Sequence, residues 1–163
     1  MPRRWVVNAS PLITLAKIGQ LSLLHELCEE MVIPAGVKEE INRAPDENDP
    51  ARTWIRSRGR DFVRQTAQIH PTISAWDLGL GESEVLAWAN DHLGWEAILD
   101  DKAARDCAAS LGIKARGTIG IILLAKKEKK ISNATLILDQ IRLAGFRIDP
   151  RLMQEAKTLA GEA

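Results

Sequence analysis

Four acidic side chains and one amide carry the chemistry open to this chain. In Gly81-Glu82-Ser83-Glu84-Val85-Leu86-Ala87-Trp88-Ala89, the residues Val85, Leu86, Ala89 and Leu93 share one buried helix stripe, and Glu82 extends it by a turn. Ala97-Ile98-Leu99 reads as a short parallel strand that ends in Asp100-Asp101. Asn8 follows a first strand, and Glu40 borders the apolar face of the helix after a second one. Parallel strands end on a common edge, which is where α/β proteins bind ligands, so these residues can meet there. Carboxylates gathered that closely repel one another and bind protons more tightly, unless a cation neutralises them. A hard divalent ion with oxygen ligands is the natural partner, and such a site suits in-line displacement at a phosphodiester.

Each residue also has an ordinary reading. Glu82 can complement the dipole of its helix, Asp101 can cap the helix at Lys102, and Asp100 can be a solvated neighbour. Glu40 can be a surface acid beside Glu39, and Asn8 can close the turn after the first strand. Only their joint placement argues for a site.

The elements that must position them follow from patterning. Trp5-Val6-Val7 reads as a strand, and Ser10-Pro11 as the N-cap and first position of a helix carrying Leu12, Leu15 and Ala16. Leu21 to Glu29 is helical with Leu24, Leu27 and Cys28 inward; Met31-Val32-Ile33 is a strand stopped by Pro34; Val37, Ile41 and Ala44 face the core from the next helix. The loop 45–50, bounded by prolines, is expected to be the most mobile segment. Ala51 to Ser57 reads as a helix and Phe62-Val63 as a weak edge strand. Lys102 to Leu111 is a helix closed by Gly112, Ile113 to Ala115 a last strand, and Ile119 to Ala125 an apolar helix. A helix over Ala134 to Ala144, capped by Ser132 or Asn133, and a terminal helix from Asp149-Pro150 complete the chain. The expected architecture is α/β, three layers around a mainly parallel sheet of four or five strands. One domain over 1–163 is expected, with 133–163 a C-terminal helical extension.

Composition sets the outer limits. The 163 residues are 45% hydrophobic and 27% charged, an ordinary globular balance, and 22 residues of each sign leave no net charge. A nucleic-acid function would need local basic patches. Cys28 and Cys107 lie far apart, as reduced thiols would. Only three apolar residues precede Asn8 after the arginines, and no run reaches membrane-spanning length, so the expectation is a soluble cytoplasmic protein without membrane partners.

The ordered motifs resemble the PIN-like (PilT N-terminus) superfamily, in particular its uncharacterised prokaryotic branch of toxin-type nucleases of the VapC kind. The matching residues are Val6-Val7-Asn8-Ala9-Ser10-Pro11-Leu12-Ile13, Ile33-Pro34 with Val37 and Glu40-Ile41, Gly81-Glu82-Ser83-Glu84, and Leu99-Asp100-Asp101 with Ala104-Arg105. Gly117-Thr118-Ile119-Gly120-Ile121 and Gly145-Phe146-Arg147-Ile148 complete the set, which covers nearly the whole chain. The resemblance implies a three-layer α/β/α fold and an endoribonuclease dependent on Mg²⁺ or Mn²⁺. It implies an RNA substrate and a small antitoxin that blocks the site, and a homodimer is compatible with it. Its first acid falls on Asn8, its second on Glu40, its third on Glu82 and its last on Asp101, with Asp100 a candidate to share that role and Thr118 near enough to orient a water or ligand. Asparagine at the first position removes one charge, so metal affinity should fall.

Other signals are weaker. Arg52, Arg56 and Arg60, with Arg58, Arg64, Trp54 and Phe62 between and around them, are candidates for gripping RNA, although such runs are commonly solvated helix faces. His25, His70 and His92 lack zinc-ligand spacing, and Gly79-Leu80-Gly81 is too short for a dinucleotide fingerprint. The leading expectation is a metal-dependent ribonuclease toxin; the alternative is a PIN-like module, weakened or inactive as a catalyst, acting through RNA or protein binding. A phosphorelay receiver would carry its acidic pair at the first strand, not late in the chain.

Overall fold

The computed structural model describes residues 2–66 and 68–163. Strands β1 (Arg4–Val7), β2 (Glu30–Pro34), β3 (Val63–Arg64), β4 (Trp95–Ile98) and β5 (Ala115–Arg116) form one parallel sheet in the order β3-β2-β1-β4-β5. Leaving β1, the chain builds one side of the sheet and then returns to build the other. The direction of winding therefore switches between β1 and β4, where the strand ends open a crevice. Trp5, Val6 and Val7 of β1 and Ala97 and Ile98 of β4 are inaccessible to solvent, as the central strands of a sheet covered on both faces must be.

Helices α1 (Ala9–Lys17), α2 (Ser22–Leu27), α3 (Ala35–Asn42), α4 (Pro50–Arg56), α5 (Pro71–Ser74), α6 (Leu80–Asp91), α7 (Lys102–Ser110) and α8 (Thr118–Lys127) cover the sheet. A 3₁₀ turn over Arg58–Phe62 leads into β3. Helices α9 (Ala134–Leu143) and α10 (Pro150–Leu159) pack on α8 and on each other. Glu162 holds this end: its carboxylate accepts the Ala134 and Thr135 amides and pairs with Lys126, which keep its pKa down at about 2. No helix among the described residues is long and apolar enough to cross a membrane. Both cysteines are free, and burial pushes the Cys28 thiol up to about 12.

Several expectations change. Ser10 is not the cap of α1; Asn8 occupies that position, with Pro11 inside the first turn, where its missing N–H costs nothing. Leu93 is 94% exposed, because α6 ends at Asp91 and the chain turns through Gly94 at φ +89° before the helical stripe reaches it. Ala44 lies beyond the end of α3, and the short helix α5 has no counterpart in the sequence pattern. Asn133, rather than Ser132, caps α9 by accepting the Leu136 amide.

Ile98→Ala should cost roughly 2–5 kcal/mol in urea unfolding, since it empties a fully buried site beside β1. Leu93→Asp should stay within about 0.5 kcal/mol of wild type in the same measurement, which would be untenable if Leu93 belonged to the core.

Candidate active site

Asn8 is placed by the last rung of the sheet. Its amide donates to the Ile98 carbonyl at 3.1 Å, so the side chain emerges where β1 and β4 end together. An asparagine at an N-cap normally accepts a helix amide, yet this side chain makes no such bond. It is 2% exposed and its Oδ1 has no hydrogen-bond partner. An acceptor stranded in that way costs about 1–3 kcal/mol.

The first turn of α6 closes over it. A Cβ on Gly81 would stand 3.0 Å from Asn8 Oδ1, 3.4 Å from Val37 Cγ2 and 3.5 Å from Glu40 Oε2. Two oxygens from separate elements thus converge on the one residue without a side chain. Glu82 folds back over the start of its own helix, with Oε2 2.6 Å from where a Cβ on Gly79 would be. Glu40 binds protons more tightly than an ordinary glutamate, first because of burial and then because Glu82 repels its charge, with Arg43 only partly offsetting both.

A second group stands at the end of β4. Asp100 accepts the Thr118 amide at 2.7 Å on Oδ1, and on Oδ2 it accepts the Thr118 hydroxyl at 2.6 Å and the Ser10 hydroxyl at 2.8 Å. Thr118 is fully buried at the start of α8, and a Cβ on Gly117 would lie 3.0 Å from Asp100 Oδ1. This carboxylate ties α1 and α8 to the edge of the sheet. Ser10 is two residues from Asn8, so the two groups share the first turn of α1. Asp101 is exposed and caps α7, accepting the Ala104 amide at 2.9 Å.

The sequence-derived residues are therefore distributed unequally. Asn8 and Glu40 meet at Gly81, Glu82 lies over Gly79 close enough to repel Glu40, Asp100 and Thr118 bond directly, and Asp101 stands at the head of α7. Among the described residues, no three carboxylate, imidazole or thiolate side chains already form a metal cage. The basic candidates lie on α4 and the turn after it: Arg52 Nη1 donates to the Ala44 carbonyl, Arg56 Nε donates to Asn42 Oδ1, and Arg60 is exposed.

Sequence reasoning missed three contributors. Ser10 holds Asp100, Gly81 makes room for Asn8 and Glu40, and Glu84 Oε2 accepts the Gly36 amide at 2.8 Å. That last bond fixes the start of α3, the helix carrying Glu40. A signal existed in the glycine immediately before Glu82, since a glycine opening a helix often marks a close approach.

A family model described as a PIN domain matches residues 4–162. The chain belongs to the PIN-domain family. No curated protein and no solved structure matches it. PIN domains are generally nucleases, hydrolases of nucleic acids that use divalent metals, and the family's α/β/α architecture is the one found here.

The raised proton affinity of Glu40 has a sign that can be tested. Its folded pKa lies above its unfolded value, so stability present at low pH is lost as pH rises through the folded pKa. With EDTA present, Glu40→Gln should be more stable than wild type at neutral pH. The gain should vanish below the ordinary glutamate range, as read by urea unfolding across pH; an equal gain at both ends would show that charge is not its cause.

Proposed function

We propose that this PIN domain is a metal-dependent endoribonuclease of the VapC-like toxin type, with an RNA substrate and a small antitoxin as its partner in the cytoplasm. The observation that carries the reading is the stranded Asn8 Oδ1, which converges at Gly81 with Glu40 Oε2, an acid whose charge Glu82 repels. An uncompensated acceptor and mutually repelling carboxylates are stabilised together by one cation. The donors are all oxygens, which fits Mg²⁺ or Mn²⁺ and disfavours a soft metal. Asn8, Glu40 and Glu82 would hold the ion, with Asp101 or Asp100 completing the set from β4.

When bound, such an ion lowers the pKa of a coordinated water and neutralises charge on the phosphate. Glu40 Oε2, which faces the space at Gly81 together with Asn8 Oδ1, would serve such an ion as a ligand and so be relieved of the repulsion from Glu82. Asp100 acts on geometry. By holding Thr118 and Ser10, it fixes the mouth of the crevice between α1 and α8. Thr118 gives both its polar hydrogens to Asp100, so it orients the carboxylate rather than a water.

Asn8 favours a second reading, a PIN module with weakened or no hydrolysis, because an amide supplies an oxygen without the charge. Calorimetric titration of metal-free protein with Mn²⁺, paired with an RNA cleavage assay, separates the two. Nuclease activity requires Mn²⁺ uptake and cleavage that Glu82→Ala abolishes together; a folded protein that neither takes up Mn²⁺ nor cuts RNA leaves only the module. Asn8→Asp should tighten Mn²⁺ binding at least several-fold, and an unchanged affinity would remove Asn8 from the site.

A further inference from the structure

The connections leading into the amino-terminal ends of β2 and β3 build a groove that the crevice chemistry does not use. It is a cavity of about 280 Å³ whose walls include Gly19, Leu21, His25, Trp54 and Arg58. The Trp54 ring lies against the Gly59 backbone, where a Cβ would come within 2.6 Å of Cζ3, so the indole is held as a fixed plate. Phe62 stacks behind it at 6.3 Å and 12°, and the exposed His25 ring stands 5.1 Å from Phe62 and 6.4 Å from Trp54. Two rings from separate segments, His25 and Trp54, thus face one opening, and Phe62 backs them both.

Charge around this opening is one-sided. Residues 52–64 contain five arginines and a single acid, Asp61, in a chain with no net charge. Among the described residues none of the five forms an ion pair, and the ion pairs engage Arg3, Arg4, Lys102, Arg116, Lys126 and Arg142 instead. Arg52 and Arg64 are occupied by backbone carbonyls. Arg56, Arg58 and Arg60 are exposed, and Arg56 meets only the neutral Asn42. Arg58 at the aromatic opening, with the exposed Arg56 and Arg60 two residues to either side of it in the chain, matches a ligand that alternates phosphates with flat rings.

We propose that this groove takes an unpaired base of single-stranded RNA, with Arg56, Arg58 and Arg60 holding the flanking phosphates. The proposal rests on the reading of RNA as the substrate and makes the groove a second anchor for that strand. It lies at the opposite end of the strands from Asn8, roughly 15 Å away for strands of this length. A bound strand therefore runs along α4 from the crevice to the groove. An aromatic plate accepts any base, and arginines read only phosphate, so the anchor confers affinity for single strands without sequence preference.

The test uses a fluorescein-labelled 12-nucleotide single-stranded RNA, followed by anisotropy with the full chain in EDTA. Arg58→Ala with Arg60→Ala should weaken binding about ten-fold at low salt and flatten the salt dependence by about 0.7 in log–log slope for each phosphate no longer neutralised. His25→Ala, an exposed position whose change leaves the core intact, should weaken binding about ten-fold with the salt slope unchanged. On the same strand with Mn²⁺ present, both variants should raise KM and leave kcat within about two-fold. The anchor is overturned if the wild type does not bind the strand, if the arginine variant binds it equally, or if a duplex of the same sequence binds as tightly. Binding that responds as expected in a protein that cuts nothing would support the anchor and remove the nuclease reading.

Discussion

Four residues of β1 run in parallel register with four of β4, from Arg4 beside Trp95 to Val7 beside Ile98, and the Asn8 amide adds the final rung. Everything assembled at the crevice depends on that ladder. It brings together segments 90 residues apart, so that Ser10 on one and Asp100 on the other can bond directly. Because the winding reverses between these two strands, no crossover helix covers their carboxyl ends. The crevice is a consequence of topology before any side chain is placed.

What fills the crevice is costly to the folded chain. Asn8 Oδ1 is buried without a partner, and Glu40 is held where burial and Glu82 both oppose its charge. Such a concentration of unfavourable terms is tolerated because the surrounding framework fixes it: Gly81 leaves the space, Glu84 anchors α3 through Gly36, and Asp100 binds α1 and α8. On the proposed reading, a bound cation would relieve both costs at once. The same arrangement explains why the supporting residues matter as much as those facing the crevice.

The two ends of the sheet differ in character. At the carboxyl ends, acids and an amide converge with no basic side chain bonded among them; at the amino ends of β2 and β3, aromatic rings and unpaired arginines converge instead. A chain with no net charge has thus separated its charges in space. A polyanion held by the basic end would be presented to the acidic end, where its own charge is repelled unless a cation intervenes.

Periodicity alone determined the alternation of strands and helices, the parallel sheet, and the facing of Val85, Leu86 and Ala89 toward the core, because these follow from local repeats and short apolar runs. The glycine closures at Gly112 and Gly145 were equally local, whereas the choice of Asn133 over Ser132 as the cap of α9 was not. The sequence could not say that Leu93 is exposed, since that turns on where α6 stops, nor that Asp100 rather than Asp101 is gripped by Thr118 and Ser10. Adjacent aspartates are indistinguishable in a pattern but point differently once one caps α7. The space at Gly81 and the stranding of Asn8 belong to the tertiary structure for the same reason. Each exists only when three elements distant in the chain press together, and no local repeat encodes how closely they approach.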